Sequence, residues 1–151
     1  MSVQRLLSLK GQALRLLGAR EYSRAELERK LAPFEETPGS LAEALDALQA
    51  KGFIDDQRVL ESVLHRRAVK LGINRIRQEL KGKGLAPEAV LDAVTQLRAT
   101  EVERASEVWR KKFGVPPTDA AGRAKQMRFL ASRGFAGDTI NKVVSGSFDD
   151  D

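Results

Sequence analysis

The sequence predicts an all-α protein built of three tandem three-helix repeats, and three observations lead there. No stretch alternates convincingly between apolar and polar residues with the period of a strand. Apolar residues recur instead at three- and four-residue spacing, as in Ile73, Ile76 and Leu80. A signature of the form Leu-x-x-x-Gly-(large apolar) occurs three times, at Leu48–Gly52–Phe53, Leu80–Gly84–Leu85 and Leu130–Gly134–Phe135. The second and third copies run on in register at an offset of 50, with Arg75 on Lys125, Val90 on Ile140 and Val94 on Val144. Self-similarity of this kind describes an array of small units, each unable to bury its own apolar face, here forming an elongated, curved body. The expected repeats are residues 2–52, 55–98 and 100–145, with 146–151 as an acidic tail.

Each element has a local reason. Residues 2–18 carry Leu6, Ala13, Leu16 and Leu17 near one face of a long helix. Ser23-Arg-Ala-Glu26 is a capping box, in which side chains at both ends of the motif satisfy free backbone N–H groups. It opens a short helix through Leu27 and Leu31 that ends near Pro33. A second box, Ser40-Leu-Ala-Glu43, is expected to start the third helix, which stops at Gly52. Asp55 and Asp56 then suit an N-cap rather than a metal site, because nothing nearby offers further ligands. The fourth helix runs to about Leu71, with Arg67 inside its apolar cluster as a half-buried structural arginine, its stem packed and its head paired.

Gly72 to Val94 is the central hairpin. Ile73, Ile76 and Leu80 form its apolar face, while Arg75, Gln78 and Lys81 point away and Arg77 lies at the edge. Gly84 suits the left-handed position past a helix end, and Pro87 suits a first helical turn. A separate long helix is expected over 100–113, with Val102, Ala105 and Trp109 aligned. Arg110, Lys111 and Lys112 in its last turn fit either a complement to the helix dipole or an exposed basic knuckle. Gly114-Val-Pro-Pro-Thr reads as a stiff linker, and helices over 119–132 and 137–145 bring the expected total to nine.

The net charge of +5 is unevenly distributed. Residues 1–57 carry −1, residues 58–83 carry +6, residues 101–133 carry +4 and residues 134–151 carry −3. A basic stripe of this kind suits a polyanionic partner, nucleic acid or an acidic protein surface, although any single cation also serves to solvate a helix face. The chain has no cysteine, which removes disulfides, thiolate metal sites and thiol catalysis. It shows no membrane-length apolar run and no signal peptide, and reads as a cytoplasmic monomer. No Gly-rich phosphate loop appears, the lone His65 has no nucleophile at helical spacing, and no carboxylate pair is set in apolar surroundings. The expectation is a protein without catalytic residues, cofactor or metal.

The runs G-F-I-D-D-Q-R at 52–58 and R-R-A-V-K-L-G-I-N-R-I-R-Q-E-L-K-G-K-G-L at 66–85 resemble the RecX family of bacterial recombination regulators. So do F-L-A-S-R-G-F-A-G-D-T-I at 129–140 and S-R-A-E-L-E-R-K-L at 23–31. Val-Leu-Glu-Ser at 59–62 departs from the aromatic-rich stretch often found there. The resemblance implies binding to the RecA recombinase and its nucleoprotein filament, restraining strand exchange, ATP hydrolysis and co-protease activity. The filament-binding residues expected from the basic stripe are Arg66, Lys70, Arg75, Arg77, Lys81 and Lys83, then Lys111, Lys112, Arg123, Lys125 and Arg128. The alternative is a stand-alone helical DNA-binding protein, since helix-turn-helix units also use a Gly-containing turn. Against it, no helix presents the Asn/Gln/Arg cluster of base readout.

Overall fold

The computed structural model describes residues 7–146. Eight α-helices and one 3-10 turn follow in order among these residues. They are α1 (Leu9–Ala19), α2 (Arg24–Leu31), the 3-10 turn Ala32–Phe34, α3 (Ser40–Ala50) and α4 (Asp56–Arg67). Then come α5 (Ile73–Gly82), α6 (Pro87–Lys112), α7 (Ala120–Ser132) and α8 (Gly137–Ser145). The fold is all-α. Leu6 and most of the acidic tail lie outside the described residues.

Two compact units are distinguished, one of residues up to 61 with Gly82–Leu85, the other of Ser62–Lys81 with residues from 86 onward. In the first unit Ala13, Leu27, Leu31, Leu41, Leu45, Leu48 and Ile54 form the core, with Leu16 and Leu17 packed against it. Ser23 caps α2 in a complete capping box with Glu26. The second expected box does not form. Ser40 is the first residue of α3 and turns its hydroxyl back to the Thr37 carbonyl, while left-handed Gly39 holds the N-cap position. The free amide of Leu41 is taken by Glu35 from the preceding loop, at 2.8 Å. A remote carboxylate has displaced the local motif.

Asp55 caps α4 by accepting from the Arg58 amide. Asp56 does something the sequence does not announce: it accepts from the Arg24 amide and so helps to cap α2. Arg58 itself pairs with Glu21 at 2.6 Å.

In the second unit Ala105, Leu130, Phe135, Ile140, Val143 and Val144 form a core flanked by Val102, Trp109, Met127 and Phe129. The expected break near residue 99 is absent, and α6 runs unbroken for 26 residues. Leu97-Arg-Ala-Thr-Glu contains neither Gly nor Pro, so nothing in the chain interrupts the backbone ladder. Arg104 also binds across this stretch, donating to Thr100 Oγ1 and to the Leu97 carbonyl. The nine expected helices are therefore eight among the described residues.

The three glycines of the repeated signature all adopt positive φ, 82° at Gly52, 67° at Gly84 and 91° at Gly134. Only glycine takes this conformation without a steric penalty. At the first and third turns the Phe amide closes back on the Leu carbonyl five residues earlier, Phe53 to Leu48 and Phe135 to Leu130.

Candidate functional site

Of the eleven basic residues expected to meet a partner, ten belong to the second unit and Lys83 to the first. Lys83 is half-buried and pairs with Glu26 at 3.6 Å, so it helps to hold the α2 start rather than offering a free cation. Burial pushes the Glu26 carboxyl up, but the Arg20 hydrogen bond, the Ser23 amide and Lys83 together hold it below its ordinary value.

On α5, Arg75 and Lys81 are exposed and Arg77 is half-buried, as the helical wheel requires. Arg75 is also structural. Its guanidinium donates to the Ser132 carbonyl at 2.9 Å, and its stem fills the space where a side chain on Gly134 would go. The backbone completes the joint, since the Gly72 amide donates to Arg133 O and the Asn74 amide to Gly134 O, each at 2.9 Å. Gly72 is required here, because a Cβ would lie 2.5 Å from the Phe135 backbone.

The end of α7 thereby gathers cations from three elements. Phe129 lies 5.5 Å from Lys112 Nζ and 4.9 Å from the Arg133 guanidinium, with Phe113 edge-on at 5.4 Å. Arg133 was not anticipated; its signal was the aromatic four residues earlier. The Trp109 indole donates to Gln126 at 2.8 Å and Gln126 donates to the Val115 carbonyl, fixing the last turn of α6 against α7. Lys111 and Lys112 are consequently an exposed knuckle. Arg123, Lys125 and Arg128 are exposed along α7.

Arg66 and Lys70 are exposed at the end of α4, where the chain is held by a residue that the sequence reading missed. Arg104 Nη1 donates to the Ala68 and Leu71 carbonyls at 2.9 and 2.8 Å, capping that helix end from α6. Burial lowers the Arg104 pKa, partly offset by Glu101. Glu101 is 2 % exposed and accepts the Ala136 amide ahead of α8. Arg67, expected half-buried with its stem packed and its head paired, is exposed, and its head pairs with Glu79 at 3.0 Å.

Among the described residues, Lys83 is the only one of the eleven in an ion pair. The others leave a set of uncompensated cations on the second unit. Among the described residues no group of three or more His, Asp or Glu is placed to hold a metal, and no helix is long and apolar enough to cross a membrane.

Comparison with known proteins places this architecture. Residues 55–94 match the second three-helix domain of RecX, and residues 99–144 match its third. The regulatory protein RecX of Leptothrix cholodnii is 54% identical over 91% of this chain and 88% of its own length. That of Ralstonia nicotianae is 45% identical, covering 93% of this chain and 89% of the relative. The crystal structure of RecX from Lactobacillus salivarius superposes with a TM-score of 0.75 at 20% identity, over 96% of this chain and 97% of that one, and so shares the fold. Across nearly its whole sequence, the chain belongs to the RecX family of regulatory proteins.

Proposed function

We propose that this chain binds the RecA recombinase and its nucleoprotein filament in the cytoplasm and restrains strand exchange, ATP hydrolysis and co-protease activity. The observation that carries the reading is the set of exposed, uncompensated cations on the second unit, in a chain whose relatives are named regulatory proteins. ATP hydrolysis belongs to the partner, since this sequence has no phosphate loop. Repeats near 2–52, 55–98 and 100–145 are part of the same reading, each adding a contact to one extended ligand. A protein without its own chemistry changes a filament's activity only by binding one of its states better than another.

The test compares affinity for three targets at fixed salt: assembled filament, naked DNA and free recombinase. The filament should be bound most tightly, and DNA-stimulated ATP hydrolysis should fall as the protein is added. Arg75 is a poor probe because it supports the Gly134 turn, so the charge test uses Lys81→Glu with Arg128→Glu. This double variant should keep its circular dichroism and lose filament affinity by roughly tenfold or more, about 1.4 kcal/mol. Equal affinity for naked DNA and filament, with hydrolysis unchanged, would favour the stand-alone DNA-binding alternative.

A further inference from the structure

Two of the three signature turns are covered, each by the first turn of a helix from earlier in the chain. At Gly84, the Ala25 methyl stands 2.5 Å from where a Cβ would be. Ser23 Oγ donates to the Lys83 carbonyl, and the Arg29 guanidinium donates to Gly82 O at 2.7 Å. At Gly134, the start of α5 plays the same part: the Arg75 stem covers the glycine, and the Arg75 guanidinium donates to Ser132 O. In both joints a basic side chain reaches the carbonyl two residues before the glycine. The apolar residue after it is buried, with Leu85 6 % and Phe135 2 % exposed.

The remaining turn is complete but uncovered. Nothing among the described residues lies within 4 Å of a Cβ built on Gly52, and Phe53 is 47 % exposed. The carbonyls of Ala50 and Lys51, counterparts of the two that are bound at Gly84, accept no hydrogen bond among the described residues. Arg58 holds the carbonyls of Gly52 and Phe53 from within the chain, so the turn is already shaped. A helix start is likewise left over. The start of α2 serves Gly84 and the start of α5 serves Gly134, but no fourth signature exists for the start of α7. That start offers matching parts, with Asp119 as N-cap and Ala120, Ala121 and Lys125 all exposed. Ala121 stands two residues and Lys125 six residues after the cap, as Ala25 and Arg29 do after Ser23.

We propose that the start of α7 in one copy of this chain docks on the Gly52–Phe53 turn of another. Ala121 covers Gly52, the Lys125 ammonium donates to Ala50 O, and Phe53 is buried. The contact joins two different surfaces, so it propagates head to tail instead of closing a pair. An interface this small is weak on its own. Copies held along one extended ligand gain effective concentration, and the contact then makes their binding cooperative.

The absence of cysteine makes the test clean, and it uses free protein so that it stands apart from any recombinase binding. Lys51→Cys and Ala121→Cys chains are prepared separately, mixed at high concentration and mildly oxidised. The mixed disulfide should exceed its random share over the two like-with-like species. Phe53→Asp in the first chain, or Lys125→Glu in the second, should abolish the excess while circular dichroism stays unchanged. A random share, a preference for like-with-like dimers, or an excess that survives Phe53→Asp overturns the proposal.

Discussion

Gly134 and Gly52 share a conformation but not an environment, and the difference sets what a methyl group would cost. Gly52→Ala meets open space and bears only the left-handed penalty, about 1–2 kcal/mol. Gly134→Ala must also displace the Arg75 stem, so chemical denaturation should show at least twice that loss. The pattern Leu-x-x-x-Gly disclosed the backbone at both sites, because a local turn is written in local residues. It could not disclose the neighbour above the glycine, which comes from far along the chain. The arginines show the same divide. Arg67 looked structural because it falls on the apolar side of its own helical wheel, yet it finds Glu79 and solvent. Arg104 performs the structural task because the carbonyls of Ala68 and Leu71 come within reach only in three dimensions. Glu26 carries a pH dependence. Its folded pKa is lowered, so its contribution is present above the unfolded carboxylate range and is lost as pH falls through the folded value. Glu26→Gln should flatten the stability profile on the acid side below about pH 5, read from melting temperature against pH.

Two motifs of the same form gave one capping box and one impostor, and helix starts therefore provide a paired comparison. Ser23→Ala removes a formed cap and should cost about 1–2 kcal/mol. Ser40→Ala should stay within about 0.5 kcal/mol, because the Ser40 hydroxyl caps no helix amide and only donates to the Thr37 carbonyl. Glu35→Ala, though outside any helix, should cost more than Ser40→Ala, because its carboxylate holds the Leu41 amide. Equal losses at Ser23 and Ser40 in urea denaturation would contradict this assignment. Helix ends were legible at Gly52, Gly84, Pro87 and Gly134, whereas α4 stops at Arg67, short of the end expected near Leu71. The join inside α6 was not, because the repeat pattern suggested a boundary where the local residues carry no stop.

For the whole molecule, the sign and location of the charge were readable from the sequence, but its division of labour was not. Lys83 and Arg75 belong to the same run of cations as Lys81, yet the first is paired and the second is built into a joint. Charge runs do not show which member finds a partner, since that depends on where distant carbonyls and carboxylates arrive. If the exposed cations meet phosphates, each one removed should lower the salt slope of binding by about one without changing sequence preference. If they meet protein, Lys81→Glu with Arg128→Glu should weaken binding to the filament and leave naked DNA affinity nearly unchanged. Salt titrations on both targets separate the two. Shortening the chain after Arg98 would not isolate the contribution of the later helices, because the cut falls inside α6 and removes Glu101 and Arg104 with them.

The unbroken α6 has one more consequence, for how such a chain tolerates insertions. The matched three-helix segments end at residue 94 and resume at 99, both inside this single helix. A residue inserted there has no loop to absorb it, and it turns everything downstream by about 100° while advancing it about 1.5 Å. Arg104 would swing away from the Ala68 and Leu71 carbonyls that follow α4, and Glu101 from the Ala136 amide ahead of α8. The helix therefore acts as a reading frame in space. One alanine inserted after Leu97 should lower the melting temperature sharply. Seven, which return the face to within about 20°, should restore much of the helical phase but not the axial distance. The register between the second and third family segments is thus kept by rotation along a rod, and length changes in this part of the chain are expected at the 113–119 linker instead.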